Sequence, residues 1–463
     1  MMKTQYQTTK YLLLTALASI GLSLVLASAA RAGSLEKRLE ALDQRQGVLE
    51  RKWELQEEKA QEAAQVMAGK DGFYLKTGDG KLSLKLGALV QTDQRFYLDD
   101  SRDLGKDTIL LRRVRPILEG HLQDRFSFRI VPDFGQGQSV LQDGYADIRF
   151  FSALQLRGGK FKVPIGLERL QSDTNSAFVE PAFPTALVPN RDIGFQLFGD
   201  LWDGLLSYAV GGFNGVSDGA SGDVDTRDGK DIAGRIFAHP FLKTEWEGLN
   251  GLGIGFGGSY GRQKGTISAP ALPAYRTAGQ LTFFSYHNTA ANASAVPPVA
   301  ANITVANGAV TRISPQAYYF WGPLGILAEY ARSSQNITNG TSDAKLSHDA
   351  WEGTASFVLT GEKASYKGVK PLKPFHPQNG RWGAVELVGR YNELRIDSKT
   401  FPTFSSATAA ARRARSFGGG VNWYLNDYIK LVASFERTGF QGGSVAGNRP
   451  AENLLASRLQ LTF

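Results

Sequence analysis

From Gly72 to the C-terminus the chain alternates apolar and polar residues with a period of two, as strands do when one face meets lipid and the other water. Leu82, Leu84, Leu86, Ala88 and Val90 share one face, and Ser83, Lys85, Gly87, Leu89 and Gln91 the other. The alternation returns at Phe126, Phe128 and Ile130 against Arg125, Ser127 and Arg129, and again at Trp351, Gly353, Ala355 and Phe357 against Glu352, Thr354 and Ser356. One such run carries little weight; its repetition, with linkers that alternate short and long, carries much more. The short linkers are 122–125, 151–154, 200–204, 321–324 and 425–428, and the long ones include 98–107, 166–190, 214–230, 262–310, 335–346, 395–412 and 440–453. Short turns on the periplasmic side and long loops outside then predict sixteen strands, beginning near residues 82, 108, 124, 140, 154, 191, 204, 231, 252, 311, 324, 347, 381, 411, 428 and 454. The even count lets a bacterial barrel close.

Three stretches stand apart. Between strands at 154–165 and 191–199, Gly166, Pro181, Pro184 and Pro189 forbid regular pairing, while Leu167, Phe178, Val179, Phe183 and Leu187 are too apolar for a loop in water. This insert is expected to pack on the inner wall and narrow the hole. Gln280 to Tyr286 reads as a strand but would break the up-down parity, so it is placed inside the 262–310 loop, folded toward the pore. Residues 362–380, with Pro371, Pro374 and Pro377, read as one unusually long periplasmic turn.

Ahead of the alternation the period is 3.5. Leu35, Leu39, Leu42, Gln46, Leu49, Trp53, Gln56, Ala60, Ala63 and Met67 fall on successive d and a positions, which predicts a coiled-coil helix over 34–68. A lone amphipathic helix lying on a surface is the other reading. Residues 1–32 read as a secretory leader: Lys3 and Lys10 are basic, Tyr11 to Leu26 apolar, and Ala30-Arg31-Ala32 places cleavage before Gly33. The expected organisation is a signal peptide at 1–32, a periplasmic coiled-coil segment at 33–70 and a barrel at 71–463. In class this is an all-β, sixteen-stranded antiparallel transmembrane barrel with an N-terminal coiled-coil helix.

Composition agrees with that outline. The 463 residues include 52 glycines, 27 phenylalanines, 16 tyrosines and no cysteine, and no run after residue 32 is apolar enough for a spanning helix. Without cysteine a lipid anchor on the mature N-terminus is excluded. Removing the leader deletes Lys3, Lys10 and Arg31 and no acid, so the formal charge falls from +8 to +5; the remaining basic balance leans toward anionic solutes. The five histidines show no zinc spacing and no nucleophile pattern, so neither enzyme activity, metal nor cofactor is expected. Gly251, Gly253, Gly255 and Gly257 sit in an alternating strand with no helix after them, which argues against a dinucleotide turn. The acid-rich 218–228 loop lacks calcium-ligand spacing and reads as solvated surface.

By strand parity, Lys85, Arg113, Arg115, Arg129, Arg235, Arg390 and Arg458 face the lumen, and a planar, permanently charged guanidinium suits oxyanions. Glu119, Asp133, Asp143, Asp147, Glu329, Glu352 and Glu386 share that lumen, so the competing reading is a wall of salt bridges. Lys160, Lys162, Arg169 and Arg191 flank the 166–190 insert, balanced by Glu168, Asp173, Glu180 and Asp192. The expected partners are outer-membrane lipid, small inorganic anions and peptidoglycan near the helix, with no nucleic acid. The alternative to a diffusion pore is a structural barrel whose helix ties the membrane to the cell wall.

Several segments resemble the phosphate-selective porin O and P family: GKFKVPIGLE at 159–168, NRDIGFQ at 190–196, GGFNG at 211–215, GRIFAHPF at 234–241, VNWYLND at 421–427 and the terminal RLQLTF. With Leu111-Arg112-Arg113, LAEY at 327–330, LTGE at 359–362 and WGAVEL at 382–387, they run in the family's order through residues 82–463. The resemblance implies a homotrimeric outer-membrane porin with inward-folded loops and an arginine-lined pore. It also implies that the paired Arg112 and Arg113 belong to that lining. The constriction lysine of phosphate-selective members has no counterpart: that region reads SDTNSAFVEP, with Thr174 near its place. GQLTFFSYHN likewise lacks the arginines those members carry in a later loop.

Overall fold

The computed structural model describes residues 32–62, 64–69, 72–98, 105–225, 228–292, 294–295 and 297–463. The leader, except Ala32, and most of the 98–107 loop lie outside them. Sixteen antiparallel strands form the barrel: β1 Leu82–Leu98, β2 Thr108–Leu122, β3 Phe126–Asp133, β4 Val140–Phe151, β5 Leu154–Lys162, β6 Arg191–Leu201, β7 Leu206–Phe213, β8 Asp231–Ala238, β9 Leu252–Lys264, β10 Asn302–Trp321, β11 Leu324–Asn339, β12 Ser342–Val358, β13 Ala384–Arg395, β14 Ala411–Tyr424, β15 Ile429–Ser444 and β16 Glu452–Thr462. Each pairs with its sequence neighbours, and β16 closes on β1 with Leu459 opposite Thr92. Outward positions are apolar, as at Leu86, Ile130, Ile236, Phe256, Phe357 and Leu459. The terminal Phe463 exchanges two backbone hydrogen bonds with Ala88, at 3.1 and 3.2 Å, and its ring meets Phe73 edge-on.

Four expected boundaries move. The 335–346 loop is instead the tip of a hairpin, because β11 and β12 continue past the bilayer to a turn at Gly340-Thr341. Its polar residues occupy both faces of the strands, and a polar stretch of that kind reads as a loop. Likewise β10 begins at Asn302 and β15 runs to Ser444. The helix α1 spans Ala32–Glu62 and stops short of the expected 68: Met67 lies in a short strand, Gln65–Gly69, while Ala63 lies outside the described residues. Residues 65–69 carry no charge and pair with Gly72–Lys76, which gives their backbone groups partners. Along α1 the seam residues Leu42, Leu49 and Trp53 are more than half exposed within one chain.

Inside the barrel runs the 163–190 loop, and burial of its backbone requires partners for its carbonyls. The wall provides them in sequence. Gln91 donates to Asp173 O at 3.1 Å, Gln460 to Thr174 O at 3.1 Å, Lys430 to Ser176 O at 2.8 Å, Asn422 to Ala177 O at 3.1 Å and Arg390 to Glu180 O at 3.0 Å. These donors stand on β1, β16, β15, β14 and β13, five neighbouring strands, with Lys430 directly opposite Gln460 and Gln460 opposite Gln91. Leu167, Phe178, Val179, Phe183 and Leu187 are buried, as their apolar character demands.

The other two stretches also turn inward. Ala274–Arg276 and Thr282–Ser285 form a hairpin inside the 265–301 loop, with Phe283 and Phe284 buried beside Tyr275 and Phe404. The 359–383 turn enters from the opposite end, where Tyr366 donates to Leu167 O at 2.6 Å and accepts from Gln171 at its own carbonyl at 2.8 Å. Sequence reading gave that turn its length but not its contact with the constriction loop.

Phe178 lies under the Arg390 guanidinium, 4.2 Å from the ring centre, and Gly418 makes room for both. A Cβ at Gly418 would fall 2.6 Å from the Glu436 side chain and 3.2 Å from Phe178. Gly418→Val is therefore expected to cost about 1–3 kcal/mol through overpacking, read as a lower thermal unfolding midpoint in detergent. A midpoint equal to that of the parent protein contradicts this packing.

Candidate functional site

Among the described residues, two cavities stand out in the lumen. One, of about 390 Å³, lies toward the short turns and is lined by Arg129, Tyr145, Arg157, Phe198, Tyr208 and Arg235 among others. The second, of about 620 Å³, lies toward the long loops beside Arg112, Arg113, Gln138, Arg169, Arg276 and Gln280. Arg115, Asp173 and Arg191 line both, so these three side chains mark the neck between them. Six cationic and three acidic side chains surround the inner cavity, and six cationic and five acidic ones the outer.

The neck is organised by two loop carboxylates. Asp173 accepts from Arg115 and stands 3.4 Å from the Arg113 guanidinium. Glu180 accepts from Arg112 at 2.6 Å and Arg95 at 2.7 Å. Arg112 reaches the lumen because β2 carries a bulge there: Gln91 faces Arg113 while Thr92 faces Leu111, leaving Arg112 as the extra residue. Strict alternation would send Arg112 to lipid, so the bulge explains why both arginines point inward. Arg115 also binds Asp133 at 2.7 Å, and Arg191 binds Asp143 at 2.8 Å.

Of the thirteen residues that sequence reasoning singled out, nine line the cavities: Arg112, Arg113, Arg115, Arg129, Lys162, Arg169, Thr174, Arg191 and Arg235. Lys162 donates to Gln171 O at 2.6 Å, Arg169 to Thr185 O, and Arg235 to Gln316 at 2.9 Å; Thr174 sits within a hydroxyl pair with Ser172. Arg129 pairs with Glu119. The other four line neither cavity. Arg458 is committed to Asp93 through two bonds of 2.6 and 2.8 Å, and Arg390 to Glu436 at 2.8 Å beneath the loop. Lys160 pairs with Asp223, and Lys85 lies over the Tyr74 ring.

Several cations escaped the sequence reading, Arg95 on Glu180 and Lys430 on Ser176 O among them. Arg157 lines the inner cavity, stacked 3.9 Å from the centre of Tyr145 and bonded to Asp147; the alternation on β5 carried that signal. Arg276 lines the outer cavity from the loop hairpin. Arg312 is fully buried between Asp218 and Asp231, which also corrects the reading of Asp218 as solvated surface. An acid in a loop finds its partner through the path of the chain, and local spacing does not reveal that path.

The family model described as phosphate-selective porin O and P matches residues 84–463. Porin O of Pseudomonas aeruginosa is 24% identical over 405 residues, covering 80% of this chain and 86% of that protein. Among solved structures, the anion-selective porin from Comamonas acidovorans superposes with a TM-score of 0.51 at 12% identity, over 82% of this chain and 100% of that one. The outer membrane channel DcaP of Acinetobacter baumannii gives 0.51 at 9% identity, over 86% and 99%. These two likenesses establish the barrel fold.

Burial alone would push the Asp173 carboxyl up, but Arg113, Lys162 and Arg115 outweigh it and hold it well below the usual range. Glu180 is likewise driven up by burial and brought down to about 2, chiefly by Arg112. Carboxylates depressed in the folded state stabilise the docked loop fully above their ordinary range and lose that contribution as pH falls through the folded value. Single-channel current is therefore expected to stay quiet at neutral pH and become noisy as pH drops from about 4.5 toward about 2. Loosening in alkaline solution, with none in acid, contradicts this role.

Proposed function

Because the chain belongs to the phosphate-selective porin O and P family, we propose that this outer-membrane porin is a passive, water-filled channel for small hydrophilic solutes with a modest preference for inorganic anions. The observation that carries this reading is the excess of cationic over acidic side chains around both cavities. An anion entering from outside meets Arg112, Arg113, Arg169 and Arg276, crosses the neck past Arg115 and Arg191, and leaves by Arg129, Arg157, Lys162 and Arg235. Most of these cations already hold an acid or a carbonyl, so they contribute potential rather than a tight oxyanion site. The loop brings the Asp173 carboxylate to the neck and no lysine, which favours weak block of chloride current by phosphate. Family membership favours the channel over a structural tether.

The same reading makes the porin a homotrimer. Strands β3, β7 and β8 have eight residues each. Tilted by about 45° at about 3.3 Å per residue, such strands rise roughly 19 Å, short of the roughly 25 Å apolar band. That low wall suits contact with neighbouring copies. The exposed seam of α1 suits a periplasmic coiled coil, following a leader cleaved after Ala32.

One unit charge acting over about 7 Å at water-like dielectric is worth about 0.6 kcal/mol, roughly a threefold change in permeability ratio. Asp173→Asn is expected to raise anion over cation permeability by about that factor, and Arg115→Gln to lower it similarly. Reversal potential in a potassium chloride gradient measures both. Cation selectivity in the parent protein, or shifts of opposite sign in the variants, overturns the reading.

A further inference from the structure

Five arginines face outward on neighbouring strands near the long-loop end: Arg332 on β11, Arg395 on β13, Arg413 and Arg415 on β14, and Arg437 on β15. Among the described residues, Asp349 and Glu393 are the only acids that pair with them in register. Arg332 stands opposite Asp349, Asp349 opposite Arg395, and Arg395 opposite Arg413. Glu393 faces Arg415, and Phe417 faces Arg437. The belt thus steps down by one residue pair on reaching Arg415 and by another at Arg437, as a level line must across tilted strands.

Directly beneath it runs an aromatic row that takes the same step. Tyr330 stands opposite Trp351, and Tyr391 opposite Phe417. The Trp351 and Tyr391 rings lie 5.0 Å apart. Aromatic girdles mark the membrane–water boundary of such barrels, so the arginines lie at headgroup height.

The centre of the belt is a built arrangement. Glu393, with its side chain 2% exposed, accepts from the Nε of Arg413 at 2.9 Å, the Nε of Arg415 at 2.8 Å and the Nε of Arg395. Using Nε leaves the terminal amino forks outward, and among the described residues no acceptor takes them from these three arginines. The Arg395 and Arg415 side chains are each 51% exposed. One carboxylate gathering three guanidiniums leaves a local excess of two positive charges. Their planar forks match the oxygens of a phosphate.

We propose that this outward arginine cluster binds the phosphate of a lipid headgroup in the outer leaflet. The assignment rests on the outer-membrane placement of the barrel and on β11–β15 facing lipid while the short-stranded wall faces neighbouring copies. Charge complementarity, the height fixed by the aromatic row, and the forks left open by Glu393 all point to the same occupant.

The test uses the full-length porin in nanodiscs of phosphatidylcholine with or without a minor fraction of phosphatidic acid, followed by native mass spectrometry of retained lipid. The parent protein is expected to retain phosphatidic acid preferentially, and Arg395→Gln with Arg415→Gln to weaken that retention roughly thirtyfold, at about a factor of five for each arginine. Its conductance and reversal potential should match those of the parent. Equal retention by parent and variant overturns the proposal. Displacement of the lipid by millimolar inorganic phosphate also overturns it, since the cluster would then recognise the free anion. Should the variant fail to fold, thermal midpoints of the parent in the two nanodiscs decide: a rise with phosphatidic acid supports the site, and identical midpoints refute it. A failed anion-selectivity measurement leaves these outcomes untouched, so the two readings fall separately.

Discussion

A chain crossing the inside of a barrel must find partners for its peptide groups, and here the wall supplies them one strand at a time. Gln91, Gln460, Lys430, Asn422 and Arg390 meet the carbonyls of Asp173, Thr174, Ser176, Ala177 and Glu180. A buried carbonyl left without a donor costs about 1–3 kcal/mol, so the five together decide where the loop lies. Once its path is set, Asp173 arrives between Arg113 and Arg115, and Glu180 between Arg95 and Arg112. The neck follows from that placement.

The electrostatics of the pore follow as well. Lumen arginines would repel one another strongly if they stood alone, and the buried acids relieve that strain while leaving a modest cationic excess. Desolvated charges of this kind hold the structure only as complete sets, because removing one partner leaves the other unpaired. A channel built this way attracts anions broadly and releases them readily. A fixed carboxylate at the neck opposes that attraction and so weakens any tight hold on an anion.

Much of the fold was legible because two-residue alternation and short turns are local signals. All sixteen strands appear where they were expected, within a few residues in most cases and with an earlier start at β10. The inward parity of Arg113, Arg115, Arg129 and Arg235 was equally readable. What escaped has a common cause: it depends on groups distant in sequence. The bulge at Arg112, the inward path of the 359–383 turn and the burial of Arg312 by Asp218 and Asp231 all arise from chain paths that no single segment encodes. Gln91 sat at a correctly assigned wall position, yet an amide in a water-facing place looks generic until a backbone is laid against it, and the same holds for Asn422 and Gln460.

The most direct test of this arrangement is single-channel recording on the variant carrying Asn422→Leu, Lys430→Met and Gln460→Leu, all of which face inward and leave the barrel's lipid face untouched. If these side chains hold the loop, the variant folds as a barrel but conducts more current, with frequent fluctuations as the loop leaves the wall. A quiet trace at the parent conductance would contradict the account.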